Sequence, residues 1–272
     1  MRARKRFGQH FLEPSWIGRL LDVLAPGPGD AFIEIGPGTG ALTLPLAARV
    51  ARVIAVEVDR DLARHLSRVA PANVEVVTAD FLQTDVAALL ARSDPGGRAR
   101  IVGNLPYNVS TPILFRILEA ASGGRAARDA TLMLQREVVD RLVAAPGGAE
   151  YGVLSILVQL HAEVTRLLDV PPGAFRPVPK VRSAVLRLTF RPPPMSPQDA
   201  ECLARLVRSV FTRRRKVLAN ALKPFAETAG VSPAAALAAA GVNGRRRPET
   251  LQLAELARLV EVFTSATRSP VL

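Results

Sequence analysis

The feature that most constrains the fold is a series of short, apolar, β-rich runs that alternate with helical stretches between residues 31 and 190. The first runs are almost continuously hydrophobic, so they do not alternate with polar residues. Strands of this kind are buried on both faces, as in a parallel sheet covered by helices. We therefore predict an open α/β fold. Its candidate strands are AFIEIG, RVIAVEV, NVEVVTA, ARIVGNL, ATLMLQ, AEVTRLLDV and SAVLRLTF.

A proline-rich segment ends this pattern. RPPPMSP, residues 191–197, holds four prolines in seven positions, which neither a strand nor a helix can accommodate. After it, the spacing of apolar residues and the start and stop residues of SPAAALAAAG predict helices only. We therefore predict two domains, residues 1–193 and residues 194–272, of which the second is small and all-helical.

Several classes of protein are disfavoured by the composition. No apolar run approaches the ~18–20 residues of a membrane span, and the basic N-terminus lacks the apolar centre of a signal peptide. The single cysteine, Cys202, excludes an internal disulfide and any cysteine zinc cluster. We therefore expect a cytoplasmic monomer with no membrane partner and no metal.

The positive charge of the chain is clustered. The formal net charge is +12, and the segment from Phe175 to Lys223 holds twelve basic residues against two acidic ones. Smaller basic clusters occur near the N-terminus and at Arg245–Arg247. Clustered positive charge is typical of proteins that bind polyanions, and it favours a nucleic acid partner. The alternative is a solvated, arginine-rich surface without such a partner.

A glycine-rich turn follows the first strand. FIEIGPGTGALT (32–43) places Gly36, Gly38 and Gly40 where the backbone can turn tightly and approach a ligand without a Cβ in the way. Glu57 ends the next strand, 21 residues after Gly36, and can accept hydrogen bonds from both hydroxyls of a ribose. Asp80 ends the third strand and can accept the amino group of an adenine. This order of residues predicts a site for a nucleoside cofactor.

The spacing of the glycines distinguishes between cofactors. The dinucleotide fingerprint is G-x-G-x-x-G, whereas this chain has G-x-G-x-G with Glu34 two residues before the first glycine. A pyrophosphate would be repelled by that carboxylate, while a cationic sulfonium and its ammonium group would be attracted. We therefore predict S-adenosyl-L-methionine as the cofactor, with NAD as the weaker alternative.

The fourth strand ends in Asn104-Leu105-Pro106-Tyr107, which resembles the (D/N/S)-(P/L)-P-(Y/F/W) signature of methyltransferases that act on planar exocyclic nitrogens. Such a nitrogen is a poor nucleophile because its lone pair is delocalised into the ring. The side-chain oxygen of Asn104 and the carbonyl of Leu105 can accept its two N–H groups, and Tyr107 can stack on the base. An amide cannot take a proton, so Asn104 is predicted to position and polarise the nitrogen. The alternative is a simple strand-ending turn.

Taken together, these motifs resemble the bacterial small-subunit ribosomal RNA adenine dimethyltransferases of the KsgA type over nearly the whole chain. The stretches that carry the resemblance are RKRFGQHFL, EIGPGTGALT, VEVDRDL, TADFL, GNLPYNVSTPILF, FRPVPKVRSAV and FTRRRKVLANAL. The resemblance implies a Rossmann-like, seven-stranded methyltransferase sheet and a small helical domain. It also implies dimethylation of the N6 groups of two adjacent adenosines in the 3′-terminal hairpin loop of 16S rRNA, in the small subunit or its precursor, during ribosome biogenesis.

The resemblance also implies roles for individual residues. The cofactor contacts are His10, Leu12, Gly36, Gly38, Glu57, Asp80 and Asn104. Tyr107 and Phe175 would hold the flipped adenine by stacking, although Phe175 could instead be a core aromatic residue between prolines. His10 departs from the family, which usually has Asn at this position. FTRRRKVLANAL resembles the family's basic helix, in which Arg213, Arg214, Arg215 and Lys216 are predicted to meet RNA phosphates.

Two other functions remain open from the sequence. The nearest is a large-subunit ribosomal RNA adenine methyltransferase of the erythromycin-resistance type, which shares the cofactor and the Asn-containing motif. The second is a non-catalytic RNA-binding assembly factor with the same fold. The FRPVPKVRS segment and the C-terminal helices favour the small-subunit enzyme, and the intact set of Glu57, Asp80 and Asn104 argues against loss of activity.

Overall fold

The predicted strands form one mixed sheet in a computed structural model that describes residues 10–94, 96–122 and 127–268. The strands of the described chain, in sequence order, are β1 (Phe11–Leu12), β2 (Ala31–Ile35), β3 (Arg52–Glu57), β4 (Val74–Thr78), β5 (Arg100–Asn104), β6 (Asp129–Gln135), β7 (Ala162–Val170), β8 (Phe175–Arg176) and β9 (Ser183–Phe190). Seven of them pair in the order β4-β3-β2-β5-β6-β9-β7. The seven-stranded α/β fold class predicted from the sequence is confirmed.

The sheet is parallel from β4 to β6, and β9 runs antiparallel to both of its neighbours. Every residue of β2 is buried, as the continuous apolar pattern predicts for a strand covered on both faces. The chain leaves β2 toward β3 on one side, while β5 and β6 lie on the other side. The carboxyl ends of β2 and β5 therefore form the switch point at which open α/β sheets bind ligands.

Helices occupy most of the segments between the strands and the chain after β9. Their bounds are α1 (Pro14–Leu24), α2 (Thr43–Ala47), α3 (Arg60–Val69), α4 (Val86–Ser93), α5 (Ser110–Ser122), α6 (Arg136–Val143), α7 (Val153–His161), α8 (Pro197–Phe211), α9 (Leu218–Ala221), α10 (Lys223–Thr228), α11 (Pro233–Ala239) and α12 (Leu253–Arg268). On one face of the sheet, Leu20 and Leu24 of α1 share a core with Phe32 of β2 and Val102 of β5. In the part of the chain that the structure describes, no helix meets the length and apolarity needed to cross a bilayer.

The chain divides into two compact units, and the division corrects the predicted domain bounds. One unit holds Met1–Val139 and Ala162–Arg191, and the other holds Asp140–His161 and Pro192–Leu272. The prediction placed all of residues 1–193 in the first domain, so residues 140–161 are assigned differently by the structure. The reason is packing: Tyr151, Ile156 and Leu160 belong to the buried core of the helical unit, where the Tyr151 hydroxyl donates to the Leu251 carbonyl over 3.1 Å.

Candidate active site

A cavity of about 280 Å³ lies at the carboxyl ends of β2, β3 and β5. Its lining includes ten of the residues that the sequence singled out for the site. They are His10, Leu12, Gly36, Gly38, Glu57, Asp80, Asn104, Leu105, Pro106 and Tyr107. The cofactor motif and the Asn-Leu-Pro-Tyr motif therefore meet in one cavity at the switch point of the sheet. Residues 4–9 of the N-terminal motif lie outside the described residues.

The glycine-rich turn shapes one wall of this cavity. Gly36, Gly38 and Gly40 all have positive φ angles, of 68°, 61° and 85°. An added Cβ at Gly38 would lie 2.9 Å from Cε1 of Phe11, and one at Gly40 would lie 2.6 Å from Cδ1 of Leu66. Larger residues would therefore strain the backbone and also collide with their neighbours, so the turn requires glycine.

Glu57 is a fixed acceptor at the end of β3. Its side chain is 4% exposed, and its two oxygens accept the backbone N–H groups of Gly38 and Asp59 over 3.0 and 2.9 Å. Burial raises the pKa of this carboxyl above its ordinary value, although the two backbone donors oppose the shift. Because each oxygen keeps a further lone pair, the carboxylate can still accept hydroxyl groups from a ligand in the cavity.

Glu34 is a buried carboxylate without a matching cation. It is 3% exposed and lines the cavity, and its Oε2 has no hydrogen-bond partner among the described residues. Burial raises its pKa to about 7, and the nearby charge of Glu57 adds to the shift, while the Thr43 hydroxyl opposes it. The described lining holds a third carboxylate, Asp80, but no lysine or arginine. Such a cavity suits a cationic nucleoside and disfavours a pyrophosphate.

Asp80 lines the same cavity and follows the end of β4. Its Oδ1 accepts the backbone N–H of Leu82 over 3.0 Å, which fixes the carboxylate at the start of a short 3-10 turn. Phe81 is buried beside it, and Val58 is 44% exposed at the cavity wall. A carboxylate next to apolar side chains is the arrangement that a flat heteroaromatic ring with an amino group requires.

Asn104, the last residue of β5, has its amide oriented by a hydrogen bond. Its Nδ2 donates to the backbone carbonyl of His10 over 2.9 Å, and because a carbonyl can only accept, the amide nitrogen must face His10. The amide oxygen is therefore the atom left for a ligand. The next residue, Leu105, donates its N–H to the Met133 carbonyl over 3.2 Å, which holds the Asn-Leu-Pro-Tyr segment against β6.

Tyr107 is held by contacts that involve two other segments. Its hydroxyl lies 2.6 Å from Oγ of Ser183, and its ring stacks on that of His10 with centroids 5.8 Å apart. Burial raises the pKa of Tyr107, so the phenol stays protonated at neutral pH. His10 in turn donates from Nδ1 to the Pro177 carbonyl over 2.7 Å. Ser183 is the serine of the segment FRPVPKVRS, which carries part of the family resemblance, but no site role was predicted for it from the sequence.

The structure does not bring Phe175 into the cavity, which corrects its predicted stacking role. Its side chain is 0% exposed and belongs to the apolar core that contains Leu20 and Val185. Its backbone pairs with Leu12 in the two-stranded ladder of β1 and β8. An aromatic ring enclosed in this way cannot reach a base, so the alternative interpretation as a core aromatic residue describes this structure.

The predicted RNA-binding residues lie in the helical unit, and their secondary structure also differs from the prediction. Residues 212–216 form turns between α8 and α9 and not a helix. Arg213, Arg215 and Lys216 are exposed, whereas Arg214 donates to the Ala149 carbonyl over 2.6 Å. Together with Lys223 they line a shallow depression. The second basic cluster is partly structural, because Arg246 forms an ion pair with Glu255.

Known proteins resemble this chain along its length. A family model described as ribosomal RNA adenine dimethylase matches residues 1–265. A ribosomal RNA small subunit methyltransferase A from Acinetobacter baylyi is 45% identical over 262 residues, which cover 95% of this chain and 91% of that protein. The protein of the same name from Pseudomonas aeruginosa is 44% identical over 262 residues, with 95% and 93% coverage.

Solved structures have the same fold. A dimethyladenosine transferase from Plasmodium falciparum superposes with a TM-score of 0.77 at 22% identity, covering 95% of this chain and 98% of that one. The 23S rRNA methyltransferase ErmE superposes with a TM-score of 0.69 at 28% identity, covering 93% of this chain and 99% of that one. The resemblance noted in the sequence is confirmed by these matches, and the chain belongs to the ribosomal RNA adenine dimethylase family.

Proposed function

We propose that this protein transfers methyl groups from S-adenosyl-L-methionine to the N6 atoms of two adjacent adenosines in the 3′-terminal hairpin loop of 16S rRNA. The acceptor is the small ribosomal subunit or its precursor, and the product carries two methyl groups on each adenosine. The observation that carries the proposal is the position of Asn104. Its oriented amide lies at the wall of a cavity that holds three carboxylates and, among the described lining residues, no lysine or arginine.

The cavity residues fit this cofactor. Glu57 would accept the ribose hydroxyls, Asp80 the adenine amino group, and the backbone of Gly36 and Gly38 would lie against the ligand. Glu34 supplies negative charge near the cationic part of the molecule. When bound, the cofactor supplies an electrophilic methyl group on a sulfonium sulfur. His10 and Leu12 line the same cavity and would contact the cofactor there.

The Asn-Leu-Pro-Tyr segment would prepare the acceptor nitrogen. The Asn104 Oδ1 and the Leu105 carbonyl accept the two N6–H groups, which localises the nitrogen lone pair toward the methyl donor. Pro106 limits the movement of both acceptors, and the ring of Tyr107 stacks on the adenine. As the N–C bond forms, the nitrogen loses one proton to solvent, since neither an amide nor a carbonyl can take it.

The small-subunit acceptor is favoured over the large-subunit one. The relatives from Acinetobacter baylyi and Pseudomonas aeruginosa, both named for the small subunit, are 45% and 44% identical to this chain. The 23S rRNA methyltransferase ErmE is 28% identical. The intact cavity favours an enzyme over a non-catalytic assembly factor. We also propose a monomer located in the cytoplasm.

Arg213, Arg215 and Lys216 would contact RNA phosphates. Their exposed side chains, with Arg214 and Lys223, concentrate positive charge around one depression of the helical unit. Replacing Arg213 and Arg215 by alanine should reduce the salt dependence of particle binding, which filter binding at several salt concentrations measures.

The proposed reaction is tested with radiolabelled S-adenosylmethionine and small ribosomal subunits from a strain that lacks this modification. The RNA is digested and its nucleosides are separated. Label in N6,N6-dimethyladenosine, approaching two methyl groups on each of two adenosines, is the expected result. Incorporation of label only into large subunits would indicate a large-subunit ribosomal RNA methyltransferase instead. Tight binding of small subunits without incorporation of label would favour a non-catalytic assembly factor.

A further inference from the structure

We propose that residues 177–182, which we call the rim loop, bind the single-stranded RNA on either side of the target adenosine. The rim loop joins β8 to β9 and has the sequence PVPKVR. The inference rests on the proposed function and extends it, because it assigns a second contact surface for the same substrate within the unit that contains the cavity.

The rim loop is fastened to the cavity lining at both ends. At its start, the Pro177 carbonyl accepts a hydrogen bond from Nδ1 of His10 over 2.7 Å. Just after its end, Oγ of Ser183 lies 2.6 Å from the hydroxyl of Tyr107. His10 and Tyr107 both line the cavity and stack on each other. The rim loop therefore borders the position where the adenine is expected to stack.

The exposed side chains of the rim loop are of two kinds. Val178 is 55% exposed and Val181 is 40% exposed, so the rim loop presents two apolar side chains to solvent. Lys180 and Arg182 are also exposed, and in residues 10–94, 96–122 and 127–268 neither has a carboxylate within ion-pair distance. The neighbouring Arg176 differs, since it forms a 3.2 Å ion pair with Glu13.

This combination matches a single-stranded nucleic acid. Apolar side chains pack against unstacked bases, and unpaired cations bind the phosphates between them. A target adenosine remains covalently bonded to its neighbours in the RNA. When its base enters the cavity, these neighbouring nucleotides lie across the border of the cavity, where the rim loop is located. Pro177 and Pro179 restrict the loop before binding, which lowers the entropy lost when RNA binds. A protein partner would explain the valines but not two unpaired cations beside the cavity.

Cross-linking tests the position of the loop. The full-length protein is prepared with the photoreactive residue p-benzoylphenylalanine in place of Val178. It is bound to unmodified small subunits and irradiated, and the cross-linked nucleotides are mapped by primer extension. We expect cross-links to 16S rRNA within a few nucleotides of the target adenosines. The matched control is the same replacement of Val69, which is 49% exposed at the C-terminal end of α3, the end that lies at the amino edge of the sheet. Cross-links to a ribosomal protein, or none above the Val69 level, would overturn the proposal.

Steady-state kinetics test the charges. We expect the double variant Lys180→Ala, Arg182→Ala to raise KM for small subunits about tenfold and to lower the salt slope of binding by about 0.7 per lost phosphate contact. The kcat and the affinity for S-adenosylmethionine should not change. The control removes two exposed arginines of α3, Arg64 and Arg68, and should leave KM unchanged. If the wild type methylates and the rim variant behaves like this control, the rim-loop proposal fails alone; if the wild type does not methylate, the proposed function fails.

Discussion

The two edges of the parallel part of the sheet contain buried charges in opposite states. At the amino edge, Arg100 is 2% exposed, and its Nε lies 3.0 Å from both carboxylate oxygens of Asp129. Its other nitrogens donate to Asp30 over 2.8 Å and to the Leu24 carbonyl over 2.9 Å. At the carboxyl edge, Glu34 is equally buried, yet its Oε2 has no hydrogen-bond partner among the described residues.

We propose that the charges around Arg100 stabilise the fold, whereas the charge of Glu34 serves to bind a ligand. Burial opposes ionisation of Asp30, but the Gly27 N–H and Arg100 outweigh it and hold its pKa below the ordinary value. At Glu34 burial outweighs the opposing Thr43 hydroxyl, the nearby charge of Glu57 adds to the shift, and the pKa rises to about 7. A buried charge that no protein group balances lowers stability, and it persists in natural proteins mainly where function needs it. We therefore propose that the amino edge is structural and that the carboxyl edge binds the ligand.

The largest effect on stability should follow from removing the buried ion pair at the amino edge. Arg100→Met removes the buried partner of Asp129 and leaves only the exposed Arg128, whose Nε lies 3.7 Å from the carboxylate, so the free energy of unfolding should fall by about 3 kcal/mol or more. Denaturant unfolding measures this loss. The matched control is Arg52→Met, because Arg52 pairs with Glu75 over 2.8 Å on the surface, where the side chains are 41% and 37% exposed. An exposed pair should cost less than about 1 kcal/mol. Equal losses in the two variants would contradict the distinction.

Substitution at the carboxyl edge should raise the free energy of unfolding instead of lowering it. The folded-state pKa of Glu34 lies above its ordinary 4.5, so its ionisation destabilises the apoprotein as pH rises through about 7. Glu34→Gln removes this loss, and the variant should be more stable than the wild type at pH 8 by up to about 3 kcal/mol, with no advantage near pH 4. Thermal and denaturant unfolding at several pH values measure the difference.

The Glu34→Gln substitution should also weaken the binding of the cofactor. Losing a charge-assisted contact should weaken binding of S-adenosylmethionine about tenfold or more at pH 8. Calorimetry with 5′-methylthioadenosine, which lacks both the sulfonium and the ammonium charge, provides the control and should show no change. A variant that binds both ligands as the wild type does, or that loses affinity for both equally, would show that Glu34 has no role toward the cationic part of the cofactor.

Asn104 tests whether the carboxyl edge acts in the chemical step. Asn104→Ala removes the positioning acceptor and should lower kcat by about 10²-fold or more, while binding of small subunits stays nearly unchanged. The stability should fall little, because the lost partner is the half-buried carbonyl of His10. Asn108→Ala, an exposed amide in the same loop, serves as the control and should retain its rate. Methylation at the wild-type rate by Asn104→Ala would refute the assigned role.

Sequence reasoning succeeded where the determinants are local. Continuous apolar runs located the seven strands, and the glycines with Glu57, Asp80 and Asn104 followed from strand ends, since the carboxyl ends of parallel strands meet at one edge. It failed where distant residues decide the outcome. Residues 140–161 lie between two sheet strands along the chain, yet the apolar side chains of α7 pack with those of α8 and α12.

Three features of the molecule depend on tertiary contacts that no sequence pattern reveals. An aromatic residue flanked by prolines looks the same whether it stacks on a base or is enclosed, and only packing against α1 makes Phe175 a core residue. Arg100 and its partner Asp30 are 70 residues apart, so their pairing is invisible in the sequence. The sequence showed the positive charge near Arg213, but it predicted a helix where residues 212–216 form turns.

The smallest effect should come from the hydrogen-bonded pair of Tyr107 and Ser183 at the carboxyl edge. Ser183→Ala removes the 2.6 Å partner of the Tyr107 hydroxyl and should cost about 1 kcal/mol of stability, as for an ordinary hydrogen bond. Because Tyr107 keeps its contact with His10, the rate should fall only a fewfold, with the loss in KM for small subunits more than in kcat. Unfolding and steady-state kinetics measure both values. A loss as large as that of Asn104→Ala would mean that the serine and the tyrosine act together in the chemical step, and that matched polar groups at this edge are functional as well.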